Sequence, residues 1–157
     1  MTIPMTIEDK LRQMGLELPE PPKPVASYVP CVRAGNLLFV SGQVPREKGV
    51  LRFSGHLGGN LNLEEGRQAA RLCALNALSA LKQELGNLDR VRRIVKLTGF
   101  VASAAGFTDQ PKVVDGASVF LAELFGEKGQ HARAAVGVNE LPLGSAVELE
   151  MIVEVEP

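Results

Sequence analysis

Arg133 and the glutamates that follow it are the residues best suited to chemistry. Between His131 and Glu154 the chain reads HARAAVGVNELPLGSAVELEMIVE. At period two, Val147, Leu149, Met151 and Val153 fall on one face and Glu148, Glu150 and Glu154 on the other, as in a half-buried strand. Upstream, Ala134, Val136 and Val138 alternate with Arg133, Ala135 and Gly137. Leu141-Pro142-Leu143-Gly144 separates two strands, because proline removes a ladder donor and glycine relaxes the backbone. Arg133 thus stands on the side of its strand where the neighbours are small and nothing large can cover it. Spacing leaves three roles open: an idle solvated cation, an ion pair with Glu148 or Glu150, or a planar fork facing a pocket. In the last case its geometry suits a substrate carboxylate, held by two parallel hydrogen bonds.

Other candidates are weaker. His56 and His131 are the two imidazoles, and neither has an HxxxH, HxE or cysteine partner, so no metal site is expected. His131, two residues before Arg133, is either a general base or a polar residue at a strand mouth. Ser54 to Asn60 (SGHLGGN) precedes a helix in the manner of a phosphate loop. No Lys-Ser/Thr follows it, and Glu64 and Glu65 in the first turn repel an anion, so it reads as a flexible turn. Ser41-Gly42-Gln43 lacks the G-x-S-x-G elbow of a nucleophilic serine. Arg90, Arg92, Arg93 and Lys96 read as a solvated loop before a strand rather than a nucleic-acid contact.

The elements that must position these residues belong to one domain, given 157 residues. Hydrophobic content of 45% and charged content of 22% are those of a soluble globular chain. A net charge of −1, six Phe, one Tyr and no Trp argue against a nucleic-acid partner. No apolar run reaches the roughly 18 residues of a membrane span. No leader-like segment opens the chain, and Cys31 and Cys73 stand alone, which together point to the cytoplasm.

Ile7 to Leu18 fits a short amphipathic helix, followed by an extended linker through Pro19, Pro21, Pro22 and Pro24. Residues 1–24 are therefore an N-terminal extension to a domain at 25–157. Tyr28 to Arg33 and Leu37 to Val44 form a hairpin about Ala34-Gly35-Asn36, with a small strand possible near Val50 to Phe53. A helix follows Asn62, whose capping box includes Glu65 and whose stop is Gly86. Ile94 to Ala102 is a strand, and a second helix runs from Asp109 to Phe125, capped by Thr108 with Pro111 in its first turn. Two helices cover only one face of such a sheet. The other face must be polar or meet another subunit. Gly99, Ala135, Gly137 and Gly144 suggest close packing there, hence a closed homo-oligomer.

Taken together these stretches resemble the reactive-intermediate deaminase (RidA, or YjgF-like) family, from about Tyr28 to Val155. The carriers are Tyr28-Val29, Gly35-Asn36, Phe39 to Pro45 (FVSGQVP), Asn76, Ala132-Arg133, Leu141-Pro142 and Val147 to Glu150 (VELE). The resemblance implies an α+β, chorismate-mutase-like mixed sheet with two helices on one face, assembled as a homotrimer with sites between subunits. It implies cofactor-free hydrolysis of 2-imino acids to 2-oxo acids and ammonia. Arg133 would clamp the carboxylate and Glu148 would hold or activate water. Tyr28 and Ser41 would shape the pocket, while Gly42 and Ala135 offer backbone groups. Familiar members carry cysteine where this chain has Ala135, and the 46–60 connection is longer here, so the chain reads as a divergent subgroup. A non-catalytic trimer binding a small carboxylate metabolite and an endoribonuclease are the alternative functions.

Overall fold

The structure, a computed structural model, describes residues 3–23 and 27–157. Pro24 of the expected linker and the expected domain start at residue 25 lie outside the described residues. The main sheet holds β1 (Cys31–Ala34), β2 (Leu37–Gln43), β5 (Val91–Ala102), β6 (Ala132–Val138) and β7 (Val147–Val155) in the order β1-β2-β7-β5-β6. Its neighbours are antiparallel except β5 and β6. That parallel pair requires a crossover, which α3 (Gln110–Phe125) supplies. The segment expected to add a strand near Val50 pairs instead with its own neighbour, as the ribbon β3 (Arg46–Glu47) and β4 (Val50–Leu51).

Strand β7 is the spine. Val147, Leu149, Met151, Val153 and Val155 are buried beneath the helices, and the glutamates face the other way, as the alternation dictates. Two helices lie on this buried face. α2 (Leu63–Leu85) starts at Asn62, whose side chain accepts from the Glu65 amide while the Glu65 carboxylate accepts from the Asn62 amide. It stops at Gly86 in the left-handed region (φ 79°), which glycine enters without steric cost. α3 crosses it so closely that a Cβ on Gly116 would lie 2.1 Å from the Arg67 carbonyl oxygen. α1 (Ile7–Gln13) packs against this layer, with Leu11 in the core and the Lys10 ammonium donating to the Leu124 carbonyl.

Several expectations need correction. The first strand begins at Cys31 rather than Tyr28, after Pro30, which has no amide to donate to a ladder. Asp109, not Thr108, precedes α3, and its side chain makes no capping bond. Arg92, Arg93 and Lys96 lie inside β5, not in a loop before it. Two register shifts in β5, at Val91/Arg93 and Ile94/Lys96, break the simple alternation that would have shown this. Ser54 to Asn60 is a pinned latch rather than a flexible turn. The Asn60 side chain bonds the Ser54 carbonyl and the His56 amide, and Leu57 is fully buried with its amide on the Ala102 carbonyl. Gly99, Ala135 and Gly137 make close contacts on the helix face, not the open one. A Cβ on Gly99 would meet Val114, one on Gly137 would meet Gln110, and Ala135 packs against the core. Gly144 sits in the loop before β7 at φ 73°.

The face away from the helices carries Val32, Phe39, Ile152, Lys96 and Ala132 across one row of the sheet. Glu148, Phe100 and Val136 form another. Val32, Phe39 and Val136 are 54%, 42% and 43% exposed, so this face carries uncovered apolar side chains among its charged ones in the single chain.

Candidate active site

Glu148 stands on the open face beside Gly42. Between Val40 and Gln43 the β2–β7 register shifts, so that Ser41 and Gly42 form a bulge opposite β7. An added Cβ on Gly42 would lie 2.9 Å from the Glu148 Oε1 atom, so the carboxylate rests on the surface that glycine leaves bare. Glu148 is half-buried and has no cationic partner among the described residues. Burial, then the nearby Glu150 charge, pushes its pKa above the usual carboxylate value. A carboxyl group shifted in that direction is better suited to carrying a proton near neutrality.

Ser41 ties the preceding segment to the same bulge. Its hydroxyl donates to the Val29 carbonyl at 2.7 Å and its amide to the Pro30 carbonyl at 2.8 Å. Tyr28, next to Val29, is 59% exposed. The structure therefore brings Gly42 and Glu148 together, with Ser41 beside them in the bulge, and ties the segment after Tyr28 to Ser41.

Arg133 is elsewhere. It pairs in register with Leu97 and so points to the helix side of edge strand β6, the opposite side of the sheet from Glu148. The ion pair weighed with Glu148 or Glu150 does not form; the partner is Asp115 of α3. Arg133 Nη1 donates to Asp115 Oδ1 at 2.8 Å and to Ser118 Oγ at 3.1 Å, and Nη2 to the Pro111 carbonyl at 3.3 Å. Its Nε makes no hydrogen bond among the described residues. Nε and Nη2 form one edge of the guanidinium, the edge a carboxylate grips in a bidentate contact. The expectation that nothing covers Arg133 is likewise corrected, because α3 lies over its side of the strand. Ala135, two residues on, shares that side.

His131 is absorbed in the same network. Its Nδ1 lies 2.6 Å from the Gly129 carbonyl and its Nε2 2.9 Å from Ser118 Oγ. A carbonyl only accepts, so Nδ1 carries a proton and donates to it, and Nε2 shares a hydrogen bond with the Ser118 hydroxyl. The imidazole thus fixes Ser118, which in turn receives from Arg133. Asp115 and Ser118 escaped the sequence reading. Their signal was a pair of polar residues three apart on a helix otherwise rich in apolar side chains.

His56, the other imidazole, donates from Nε2 to the Asn139 carbonyl at 2.8 Å and lies 3.3 Å from Glu140, where it ties the 54–60 latch to the β6–β7 loop. Cys73 is fully buried, and burial pushes its thiol well up; Cys31 is pushed up to about 11 for the same reason. Neither is a ready nucleophile.

A family model described as "YjgF/chorismate_mutase-like, putative endoribonuclease" matches residues 8–155. The chain belongs to the YjgF family. Among relatives of this YjgF-family chain, Protein TCP17 of Trypanosoma cruzi is 46% identical over 145 residues, covering 92% of this chain and 91% of its own. The solved structure of a "putative endoribonuclease" from Shewanella oneidensis superposes with a TM-score of 0.93 at 38% identity, covering 96% of this chain and 99% of that one. A 2-iminobutanoate/2-iminopropanoate deaminase of Dermatophagoides farinae is 28% identical over 141 residues, covering 90% of this chain and 95% of its own. The YjgF assignment also carries the fold, a chorismate-mutase-like mixed sheet backed by helices.

Proposed function

We propose that this YjgF-family protein hydrolyses reactive 2-imino acids to 2-oxo acids and ammonia, in a homotrimer whose sites lie between subunits. The observation that carries the reading is Glu148, a half-buried carboxylate with a raised pKa and no cationic partner among the described residues, resting over Gly42 on an uncovered face. It acts as the group that holds water and moves a proton. Arg133 supplies the anion grip through its Nε–Nη2 edge.

The two residues face opposite sides of one sheet, so a single chain does not assemble them. Arg133 lies on edge strand β6, while Glu148, Gly42 and Ser41 lie on the open face. A site containing both takes Arg133 and Ala135 from one copy and Glu148, Gly42, Ser41 and Tyr28 from its neighbour. Burying Val32, Phe39 and Val136 provides the driving force for that association.

The chemistry follows from positioning. A protonated imine is already electrophilic, so water attacks its carbon once a base removes a proton. Glu148 accepts that proton as the C–O bond forms and returns it to the nitrogen of the resulting carbinolamine. It then takes the hydroxyl proton as C=O forms and the C–N bond breaks, and ammonia leaves and carries that proton away as ammonium. The chain needs no cofactor for these steps. A ribonuclease reading is less well supported, because Arg93 and Lys96 on the open face are interleaved with Glu150 and Glu154 and make no continuous track for a phosphate backbone.

The test is to generate 2-iminopropionate or 2-iminobutyrate enzymatically and follow ammonia release with and without the protein, with light scattering for the mass. Accelerated release by a trimer supports the reading. A trimer that binds a carboxylate ligand yet leaves the rate unchanged is a non-catalytic module, and a monomer removes the intersubunit site.

A further inference from the structure

Asp115 is the unexpected part of the arrangement, because it neutralises the cation that is to bind substrate. Arg133 and Asp115 form a hydrogen-bonded ion pair at 2.8 Å, with the Arg133 side chain 23% and the Asp115 side chain 42% exposed. Lys112, also on α3, is engaged with Asp109 at 3.6 Å, so Arg133 is the cation that Asp115 pairs with among the described residues. Asp115 holds Nη1 through one oxygen, Oδ1. Ser118, itself fixed by His131, holds the same nitrogen. The guanidinium is therefore anchored through Nη1 and, by one bond to the Pro111 carbonyl, through Nη2, which leaves Nε and the second Nη2 hydrogen to a ligand, and the unit with Asp115 has no net charge.

We propose that Asp115 is a specificity residue that makes this anion clamp charge-neutral, so that the site selects zwitterionic imino or amino acids over simple carboxylates. The inference rests on the reading of Arg133 as the carboxylate grip. A bare arginine attracts any carboxylate. An arginine bonded to an aspartate presents two charges of opposite sign, and the aspartate's repulsion partly cancels the attraction felt by a mono-anion. A ligand that carries a protonated nitrogen beside its carboxylate escapes most of that loss, since its positive group is attracted by Asp115. A protonated 2-imino acid is such a ligand, whereas the 2-oxo acid formed from it has lost the positive group. The same residue then favours the substrate and weakens retention of the product.

The test compares two stable probes on the full chain by calorimetry. 2-Aminobutyrate is the zwitterion and 2-oxobutyrate the mono-anion, measured on wild type, Asp115→Asn, Asp115→Glu and Arg133→Lys, with melting temperatures alongside. Wild type should prefer 2-aminobutyrate. Asp115→Asn keeps an acceptor oxygen for Nη1 but removes the charge, and should shift the affinity ratio toward 2-oxobutyrate by about tenfold, ~1.4 kcal/mol. Asp115→Glu keeps the charge and should keep the preference. A role confined to tying α3 to β6 lowers the melting temperature without moving the ratio.

Wild type preferring 2-oxobutyrate, or an unchanged ratio in folded Asp115→Asn, overturns the proposal. The wild-type arm can overturn it even if Asp115→Asn does not fold. Arg133→Lys separates the two levels: if it weakens both probes while the ratio test fails, the clamp stands and the specificity role falls. If it binds both probes as wild type does, or wild type binds neither, the clamp reading falls and the proposal with it.

Discussion

Replacing Gly42 by alanine separates catalysis from stability in a single substitution. The new Cβ would lie 2.9 Å from Glu148 Oε1, 3.0 Å from Cδ and 3.3 Å from Cγ. Those distances fall short of ordinary van der Waals contact by about 0.5 Å, so the carboxylate must move by a comparable amount. The obstructing atoms are the end of a flexible side chain, and Gly42 is not among the residues with positive φ, so the backbone accepts alanine. Stability should hold or rise by about 0.4–1 kcal/mol through the reduced freedom of the unfolded chain. Catalysis should not hold. A misplacement of about 1 Å costs on the order of a hundredfold, so half that displacement predicts about a tenfold loss in kcat/KM, ~1.4 kcal/mol of transition-state stabilisation. Imine hydrolysis and a melting curve, run on the same preparation with its oligomeric mass checked, give both numbers. Full activity in folded Gly42→Ala would refute the role given to the Gly42–Glu148 contact. A large fall in melting temperature would show instead that the bulge itself requires glycine.

Three further outcomes follow from the geometry. Arg133→Lys trades a planar fork for a point charge and should cost roughly 30- to 1,000-fold in kcat/KM, read by steady-state hydrolysis with melting temperature as control. Glu148→Gln should lower kcat more than it alters KM. Because the folded-state pKa of Glu148 is raised, its stabilising contribution is present below the unfolded pKa and lost as pH rises through the folded one. The variant should therefore melt higher than wild type at neutral pH, with the difference closing as pH falls below the carboxylate range; a lower melting temperature at pH 7 contradicts this sign. Gly116→Ala places a Cβ 2.1 Å from the Arg67 carbonyl oxygen, a backbone atom that cannot step aside, and should destabilise by about 1–3 kcal/mol or more by forcing α2 and α3 apart. Chemical denaturation measures it, and a neutral result would mean that the helix crossing is looser than described.

Much of the architecture was written in local patterns. The alternation from Val147 to Val153 settled which face of β7 is buried, since side chains on a strand alternate whatever surrounds them. Asn62, Glu65 and Gly86 marked the ends of α2 because capping and the left-handed stop are satisfied within a few residues. Arg133 and Glu148 could be singled out by type and spacing. What the sequence could not determine was which neighbour each residue would meet, because that depends on strand order and on crossover. The parallel β5–β6 pairing turned Gly99, Ala135 and Gly137 toward α3 rather than the open face. It also carried Arg133 to the side opposite Glu148 and onto Asp115 and Ser118, residues distant in sequence that periodicity could not connect. The bulge at Ser41 and Gly42 likewise appears only when β2 is laid against β7 and one strand proves a residue longer than the other. Local order was determined by short-range sterics and hydrogen bonding. The partners of the charged groups were decided by packing.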